Sequence, residues 1–236
     1  MKKGKLYLIP ATLGDTDSEQ VLPAFNLQLL QSIDIYVVEE LKTARRFLRK
    51  CGYRKDFDSE TTFFQLNEHT SGSEISAFLE PALAGKDLGL MSEAGTPAVA
   101  DPGSALVRLA HSKGIQVVPL AGPSSIILAL MASGFNGQQF TFHGYLPVKP
   151  HERAQKLKEI EREIFKTGST HIFIETPYRN RQMLESILNS CSGGISLCMA
   201  INLTLPDEAI ITKTVSEWKQ TDFQPPKSPA VFLLSH

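Results

Sequence analysis

LGLMSEAGTPAVADPG, residues Leu88 to Gly103, carries the reading of this chain. The apolar start, Leu88-Gly89-Leu90-Met91, predicts a short strand buried on both faces that ends at Ser92-Glu93. Gly, Ala and Pro follow, forming a loop whose small side chains let a ligand approach the backbone. Asp101 is placed as the N-cap of the next helix and Pro102 as its first residue. In an open α/β sheet, ligands bind just beyond the carboxyl ends of the strands. A second stretch has the same form: Val117-Val118 ends a strand, Pro119-Leu120-Ala121-Gly122-Pro123 turns, and Ser124-Ser125 begins a helix with free N–H groups. The two loops are expected to be walls of one pocket.

Outward from there, the first half alternates strand and helix, which predicts a mostly parallel sheet with helices on its faces. Leu6 to Ile9 is a buried strand, and Pro10-Ala11-Thr12-Leu13-Gly14-Asp15 is the loop after it. That loop lacks GxGxxG, which argues against a nicotinamide dehydrogenase and against the common Rossmann-like methyltransferases. Ser18 to Ile33 has helical spacing, with Pro23 placed in its first turns. Ile35 to Val38 is a second strand, closing on Glu39-Glu40. These acids fit either a ligand hydroxyl at a strand end or the start of the helix Leu41 to Lys50. That helix carries Lys42, Arg45, Arg46, Arg49 and Lys50, the one basic cluster of the chain, read either as a solvated face or as a phosphate-contacting one. Thr62 to Phe64 is a short strand, His69 lies in a loop, and a helix is expected over Glu74 to Leu83.

The second half predicts strands at Phe140 to Phe142, His171 to Ile174, Ile195 to Ala200, Ala209 to Thr212 and Ala230 to Leu234. Helices are expected over Glu152 to Phe165, Arg181 to Leu188 and Val215 to Lys219. The passage between domains is placed between Leu120 and Pro147, giving an N-terminal α/β domain, 1–120, and a C-terminal α/β domain, 121–236. The 236 residues carry 24 Lys and Arg against 25 Asp and Glu, so no global basic field advertises a nucleic acid, although a local patch can still bind one. Cys51, Cys191 and Cys198 lack CxxC spacing and a nearby His, which predicts free thiols in a reducing compartment and no metal site. The apolar run after the basic N-terminus is too short for a signal peptide, and no window approaches a membrane span. The expected location is the cytoplasm.

SEAGTPAVADPG, GIQVVPLAGPSSIILALMASG, FHGYLPVKP and IFIETPYR occur in that order. With them the chain resembles the tetrapyrrole methylase superfamily, the class III S-adenosylmethionine-dependent methyltransferases. Within it the chain is most similar to the bacterial enzymes that methylate a cytidine 2′-hydroxyl in 16S ribosomal RNA. The resemblance implies a two-domain α/β fold and a homodimer. It also implies S-adenosylmethionine held between the domains, with S-adenosylhomocysteine as the product. By that resemblance the cofactor-side residues are Leu13 of the first loop, Ser92, Glu93, Ala94 and Gly95, and Ser124 and Ser125. In the second domain they are Glu175 and Thr176, Ala200 and Leu203, and Pro229 and Ala230.

The chain departs from the family pattern mainly on the substrate side. The first loop is PATLGD where the ribosomal enzymes show Ala-Thr-Pro-Ile-Gly-Asn, and Glu39-Glu40-Leu41-Lys42 stands for Glu-Asp-Thr-Arg. Ile201, Asn202 and Leu205 replace the Arg, Glu and Lys of Ala-Arg-Glu-Leu-Thr-Lys, and Glu93 replaces an Asp. Methyl transfer chiefly requires that nucleophile and methyl be held close and aligned. A ribose hydroxyl also needs a proton acceptor, for which Glu39 and Glu40 are the candidates. Lys42, Arg45 and Arg46 are the candidate RNA contacts, with 16S ribosomal RNA or the small ribosomal subunit as partner. Two other readings stay open: a tetrapyrrole or other small-molecule acceptor, and a non-catalytic cofactor-binding or ribosome-associated relative.

Overall fold

The computed structural model describes residues 2–236. The chain divides into two compact units, Met1–Ser124 and Ser125–His236. The first carries β1 (Lys5–Ile9), α1 (Ser18–Val21), α2 (Ala24–Leu30), β2 (Ile35–Val38), α3 (Leu41–Lys50), β3 (Thr62–Gln65), α4 (Gly72–Phe78), α5 (Glu80–Leu83), β4 (Leu88–Met91), α6 (Gly103–Ser112) and β5 (Gln116–Pro119). Its five strands are parallel, in the order β3-β2-β4-β1-β5. Alternate residues of the strands feed two cores. Tyr7, Ile9, Tyr36 and Val38 pack with Leu30 of α2 and Leu48 of α3 on one face. Leu6, Ile35, Val37 and Leu90 pack with Leu79 and with Leu106 of α6 on the other. A sheet buried on both faces needs near-continuous apolar strands, which is what the sequence shows at Leu88–Met91 and Ile35–Val38.

The second unit carries α7 (Ser125–Ser133), β6 (Phe140–Tyr145), α8 (Pro150–Thr167), β7 (Thr170–Glu175), a 3-10 turn (Pro177–Arg179), α9 (Asn180–Ser190), β8 (Ser196–Ile201), β9 (Ala209–Thr214), α10 (Val215–Lys219) and β10 (Ala230–Ser235). The sheet order is β6-β7-β10-β8-β9. Only β6 and β7 are parallel; the other pairs are antiparallel. Its core joins Leu157, Ile160 and Ile164 of α8 and Met183 and Ile187 of α9 to Phe173, Met199 and Phe232. Trp218 is buried there with its indole N–H donated to Leu197 O at 3.0 Å.

The structure corrects several sequence expectations. The helix expected over Ser18 to Ile33 is two helices, because Pro23 offers no N–H and its ring clashes with the preceding turn. The helix expected over Glu74 to Leu83 likewise divides ahead of Pro81. Helix α6 begins at Gly103, and Asp101 is not its N-cap residue, although its Oδ1 accepts from Gly103 N–H at 2.7 Å. The first unit extends to Ser124 rather than ending at 120. Leu120 N–H donates to Leu8 O at 3.0 Å, and Asn26 Nδ2 donates to Ala121 O at 2.7 Å, so this loop is tied to the first unit. Helix α7 and strand β6, expected in the passage between domains, are elements of the second unit.

Candidate functional site

In the first unit, four strands end toward one edge of the sheet, at Ile9, Val38, Met91 and Pro119. Since β1 and β4 are neighbours, the loops after them meet. Ala11 N–H donates to Gly95 O at 2.9 Å and Gly95 N–H to Ala11 O at 3.2 Å. Gly95 has φ +69°, and a Cβ there would lie 3.1 Å from Leu13 Cδ2 and 3.5 Å from Pro123 O. A side chain at this position would strain the backbone and press on both neighbouring loops. Leu13, Gly95 and the Pro123 end of the loop after β5 thus lie side by side.

Asp101 organises the rest of this loop. Ala98 and Ala100 have left-handed backbones, at φ 66° and 61°. Both oxygens of the Asp101 carboxylate accept from Ala98 N–H, at 2.9 and 2.8 Å, while Oδ1 also holds Gly103 N–H. Burial raises the Asp101 pKa, against the lowering effect of those N–H donors. Glu39, at the end of β2, faces the same group of acids. Burial first, and then the carboxylates of Asp101, Glu93 and Glu68, push its pKa up to about 7. Glu40 behaves differently: it is the N-cap of α3, and its carboxylate accepts from Lys42 N–H at 3.2 Å. Thr43 Oγ1 stands 2.8 Å from Glu93 Oε1 and 3.0 Å from Glu40 O, with one proton for the two. Of the two acids expected as proton acceptors, only Glu39 is left without a structural task.

The basic helix also sorts its residues. Arg45 pairs with Asp58 at 3.0 Å and lies over the rings of Phe57 and Phe63, at 5.5 and 5.4 Å. Arg49 stacks on Phe57 at 3.8 Å and donates to Tyr53 O and Lys55 O. Lys50 pairs with Asp15, and Lys55 with Asp34. Lys42 and Arg46 are exposed, and neither side chain makes a hydrogen bond or ion pair among the described residues. Arg45, expected as an RNA contact, is engaged within the fold, while Lys42 and Arg46 are free for a phosphate.

In the second unit the expected residues converge at one end of the mixed sheet. Ala230 is in register with Glu175 on one side and with Ile201 on the other, and Val231 with Ala200. Asn202 N–H donates to Pro229 O at 3.1 Å, and buried Leu203 follows. The Glu175 side chain is fully buried. Its Oε1 accepts from Thr176 N–H at 2.7 Å and pairs with Arg179 Nη2 at 2.7 Å. Asn180, which sequence reasoning missed, donates from Nδ2 to Pro226 O and Ser228 O at 3.1 and 2.7 Å, fixing the approach to Pro229. Its only sequence signal was its place one residue past the end of IFIETPYR.

Residues 5–219 match the family model of the tetrapyrrole (corrin/porphyrin) methylases. The chain is similar to the ribosomal RNA small subunit methyltransferase I of Vibrio cholerae, 32% identical over 232 residues, covering 97% of this chain and 76% of that protein. It is 31% identical to the protein of the same name from Escherichia coli O157:H7, covering 98% of this chain and 78% of that protein. Among solved structures the methyltransferase CobJ superposes with a TM-score of 0.64 at 19% identity, covering 99% of this chain and 94% of that one. The uroporphyrin-III C-methyl transferase of Thermus thermophilus, complexed with S-adenosyl homocysteine, gives 0.59 at 16% identity, covering 99% and 98%.

The carboxylate group makes stability pH-dependent. The folded-state pKa of Glu39 lies above its ordinary value, so folding favours the protonated form. That stabilisation is complete below the ordinary value of 4.5 and is lost as pH rises through about 7. Asp101 is shifted in the same direction. The first unit is therefore expected to unfold in less urea at pH 8 than at pH 5.5, at constant ionic strength. Glu39→Gln is expected to flatten this dependence, and a variant as pH-sensitive as the wild type would assign the effect to other groups.

Proposed function

We propose that this chain, which belongs to the tetrapyrrole (corrin/porphyrin) methylases and is an S-adenosylmethionine-dependent methyltransferase, transfers its methyl group to a ribose 2′-hydroxyl of small-subunit ribosomal RNA. Relatives 31–32% identical carry the name of a ribosomal RNA methyltransferase, and they match nearly the whole of this chain. The single observation that carries the acceptor class is Glu39: a carboxylate at a strand end, without structural work, poised near neutral pH.

The side chains fit the cofactor. S-adenosylmethionine carries a sulfonium and an ammonium, and Glu39, Glu93, Asp101 and Glu68 form a group of acids that suits a cation. In the second unit, the buried Glu175 Oε2, Asn180 Oδ1 and Thr204 Oγ1 have no hydrogen-bond partner among the described residues, which suits a ligand with N–H and O–H groups. Leu13, Ser92, Glu93, Ala94, Gly95 and Ser124 would hold it on the first unit, with Ser125 the first residue of the second. Glu175, Thr176, Ala200, Leu203, Pro229 and Ala230 would hold it on the second. When bound, it supplies a methyl group already activated for in-line displacement.

The protein's own task is alignment and proton removal. A ribose hydroxyl is a weak nucleophile until its proton is accepted as the new bond forms. Glu39 takes that proton, and a general base with a pKa near the working pH is best matched to the step. Lys42 and Arg46, one turn along the exposed start of α3, pair with RNA phosphates. An RNA in the small ribosomal subunit places the enzyme in the cytoplasm. A homodimer, implied by the resemblance, would cover α7, where Ile127 and Met131 are 44% and 73% exposed on a helix built almost wholly of apolar residues.

Four outcomes test this reading. Methyl transfer to 30S subunits from cells lacking the protein should place one label at a ribose. Glu39→Gln should lower kcat by roughly 10²–10⁴-fold, and the wild-type kcat/KM should rise through about pH 7, a limb absent from the variant. Retention of most of the rate by E39Q would remove Glu39 from the role. Lys42→Gln combined with Arg46→Gln should weaken RNA binding and reduce the salt slope by about one per residue; an unchanged slope would place the phosphates elsewhere. Light scattering should give twice the 26.0 kDa chain mass, and Met131→Asp should lower it; a monomeric wild type at working concentration would reject the dimer.

A further inference from the structure

Four buried side-chain polar atoms lack a hydrogen-bond partner among the described residues, and three of them lie at one end of the second sheet. Glu175 Oε2 closes β7, Asn180 Oδ1 opens α9, and Thr204 Oγ1 sits in the loop after β8. Glu175 and Asn180 are otherwise well used, because their second polar atoms hold Arg179 and the approach to β10. Thr204 is not: its hydroxyl makes no bond, yet the loop around it is built to hold that residue in place.

The backbone of Thr204 has φ 69°, in the left-handed region. A β-branched residue there is an outlier, since Cβ and its two substituents crowd the carbonyl. Asn202, two residues earlier, is also left-handed, at φ 51°. Both are latched by acids from the far side of the loop. Thr204 N–H donates to Glu208 Oε2 at 2.8 Å, and Asn202 Nδ2 donates to Asp207 Oδ2 at 2.7 Å. Leu205 N–H returns to Asn202 O at 2.9 Å and Glu208 N–H to Leu205 O at 3.0 Å, closing two turns over buried Leu203. Glycine or asparagine would fit the backbone at 204 with less strain. The chain instead places a branched side chain there and leaves its hydroxyl unsatisfied. Strain and an orphaned polar atom at one residue, held by two carboxylate latches, are unexplained by the packing of the unit and are the pattern expected of a ligand contact.

We propose that Thr204 is a cofactor-contacting residue, whose hydroxyl hydrogen-bonds the adenosine part of S-adenosylmethionine and of the S-adenosylhomocysteine product. The inference rests on the reading of this sheet end as the second unit's part of the cofactor site. A hydroxyl both donates and accepts, which matches a ribose hydroxyl or the edge of adenine. Glu175 Oε2 and Asn180 Oδ1 accept only, so they suit the N–H and O–H groups of the same ligand. The strained loop fixes the hydroxyl before the ligand arrives, so little ordering is left for binding.

The test uses the full chain and reads binding rather than turnover. S-adenosylhomocysteine affinity is measured by calorimetry for wild type, Thr204→Val, Thr204→Ser and Thr204→Gly, with 5′-methylthioadenosine as a second probe that lacks the amino-acid part. T204V keeps the branched shape and loses only the hydroxyl. It should bind both probes about 5–10-fold more weakly, the loss expected of one hydrogen bond. T204S should stay within about twofold of wild type, since it keeps the hydroxyl. The ligand-free protein should respond in the opposite direction. Its melting temperature should be unchanged or higher in T204V, which removes an unsatisfied polar atom, and higher in T204G, which relieves the backbone. Wild-type affinity in T204V, or in T204G should T204V not fold, would overturn the proposal. A loss for S-adenosylhomocysteine without one for 5′-methylthioadenosine would overturn the adenosine assignment. Hydrogen exchange separates this from failure of the wider reading. If S-adenosylhomocysteine protects residues 175–180 and 200–208 of the wild type while T204V binds normally, Thr204 alone is misassigned; if it protects neither segment, the sheet end is not a cofactor site.

Discussion

The pairing of β1 with β4 is the constraint on which the first unit depends. Their parallel register, Leu6 with Leu88 through Ile9 with Met91, puts the ends of both strands side by side. The two loops that follow must therefore meet, and the Ala11–Gly95 bridge is the result. The pairing itself depends on Gly89. A Cβ at that position would lie 2.5 Å from Ile9 Cδ1 and 2.9 Å from Tyr36 Cδ1. Tyr36 cannot easily yield, because its hydroxyl is donated to Leu30 O at 3.0 Å and its ring packs edge-on to Tyr53. A hydrogen placed where every neighbour is large lets β2, β4 and β1 close into one sheet, and that closure brings Glu39, Glu93 and Leu13 to the same edge.

Electrostatics then distinguishes residues that the sequence leaves alike. Glu39 and Glu40 are adjacent acids after one strand. Glu40 has a backbone N–H to accept from and works as a helix cap. Glu39 has desolvation and three nearby carboxylates, so its proton is held to about neutral pH. The same sorting applies along α3. Arg45 lies over Phe57 and Phe63 and pairs with Asp58, and Arg49 stacks on Phe57, which leaves the charge of Lys42 and Arg46 outward. A basic run in sequence is thus two populations, one serving the fold and one available to a partner.

This contrast explains what was legible beforehand. Helix α3 runs over Leu41–Lys50, as expected after the acids at its start, and β2 and β4 have the expected bounds, because local signals decide such elements. Pro23 and Pro81 each divide a helix that periodicity alone would carry through. The candidate site residues came from resemblance to a family; the structure sets Leu13 and Pro123 beside Gly95, and Glu175, Ala200 and Ala230 at one end of the second sheet. What could not be read was contact at long range. Arg45 finds Asp58 and two rings in a segment with no helical register to it, and Asn180 reaches carbonyls near Ser228, 48 positions away. Asp101 fits a local cap by sequence, whereas in the structure both its oxygens hold Ala98 in a conformation that residue types alone do not announce.

Strain follows the same division between local and distant causes. Among the described residues the non-glycine positions with positive φ are Ala98, Ala100, Asn202 and Thr204. None lies in a helix or strand; two follow β4 and two follow β8, each at a strand end where site residues gather. Acids of the same loops restrain three of them, Asp101 holding Ala98, and Asp207 and Glu208 holding Asn202 and Thr204. A carboxylate that accepts from a backbone N–H or a side-chain amide is a strong local restraint, and it can hold a left-handed residue that the chain would otherwise relax. Both units therefore use the same device at their strand ends: an unfavourable backbone stabilised by a nearby acid. Substitutions that ease the backbone there should favour folding at the expense of binding, since the geometry being relaxed is the geometry that presents the loop.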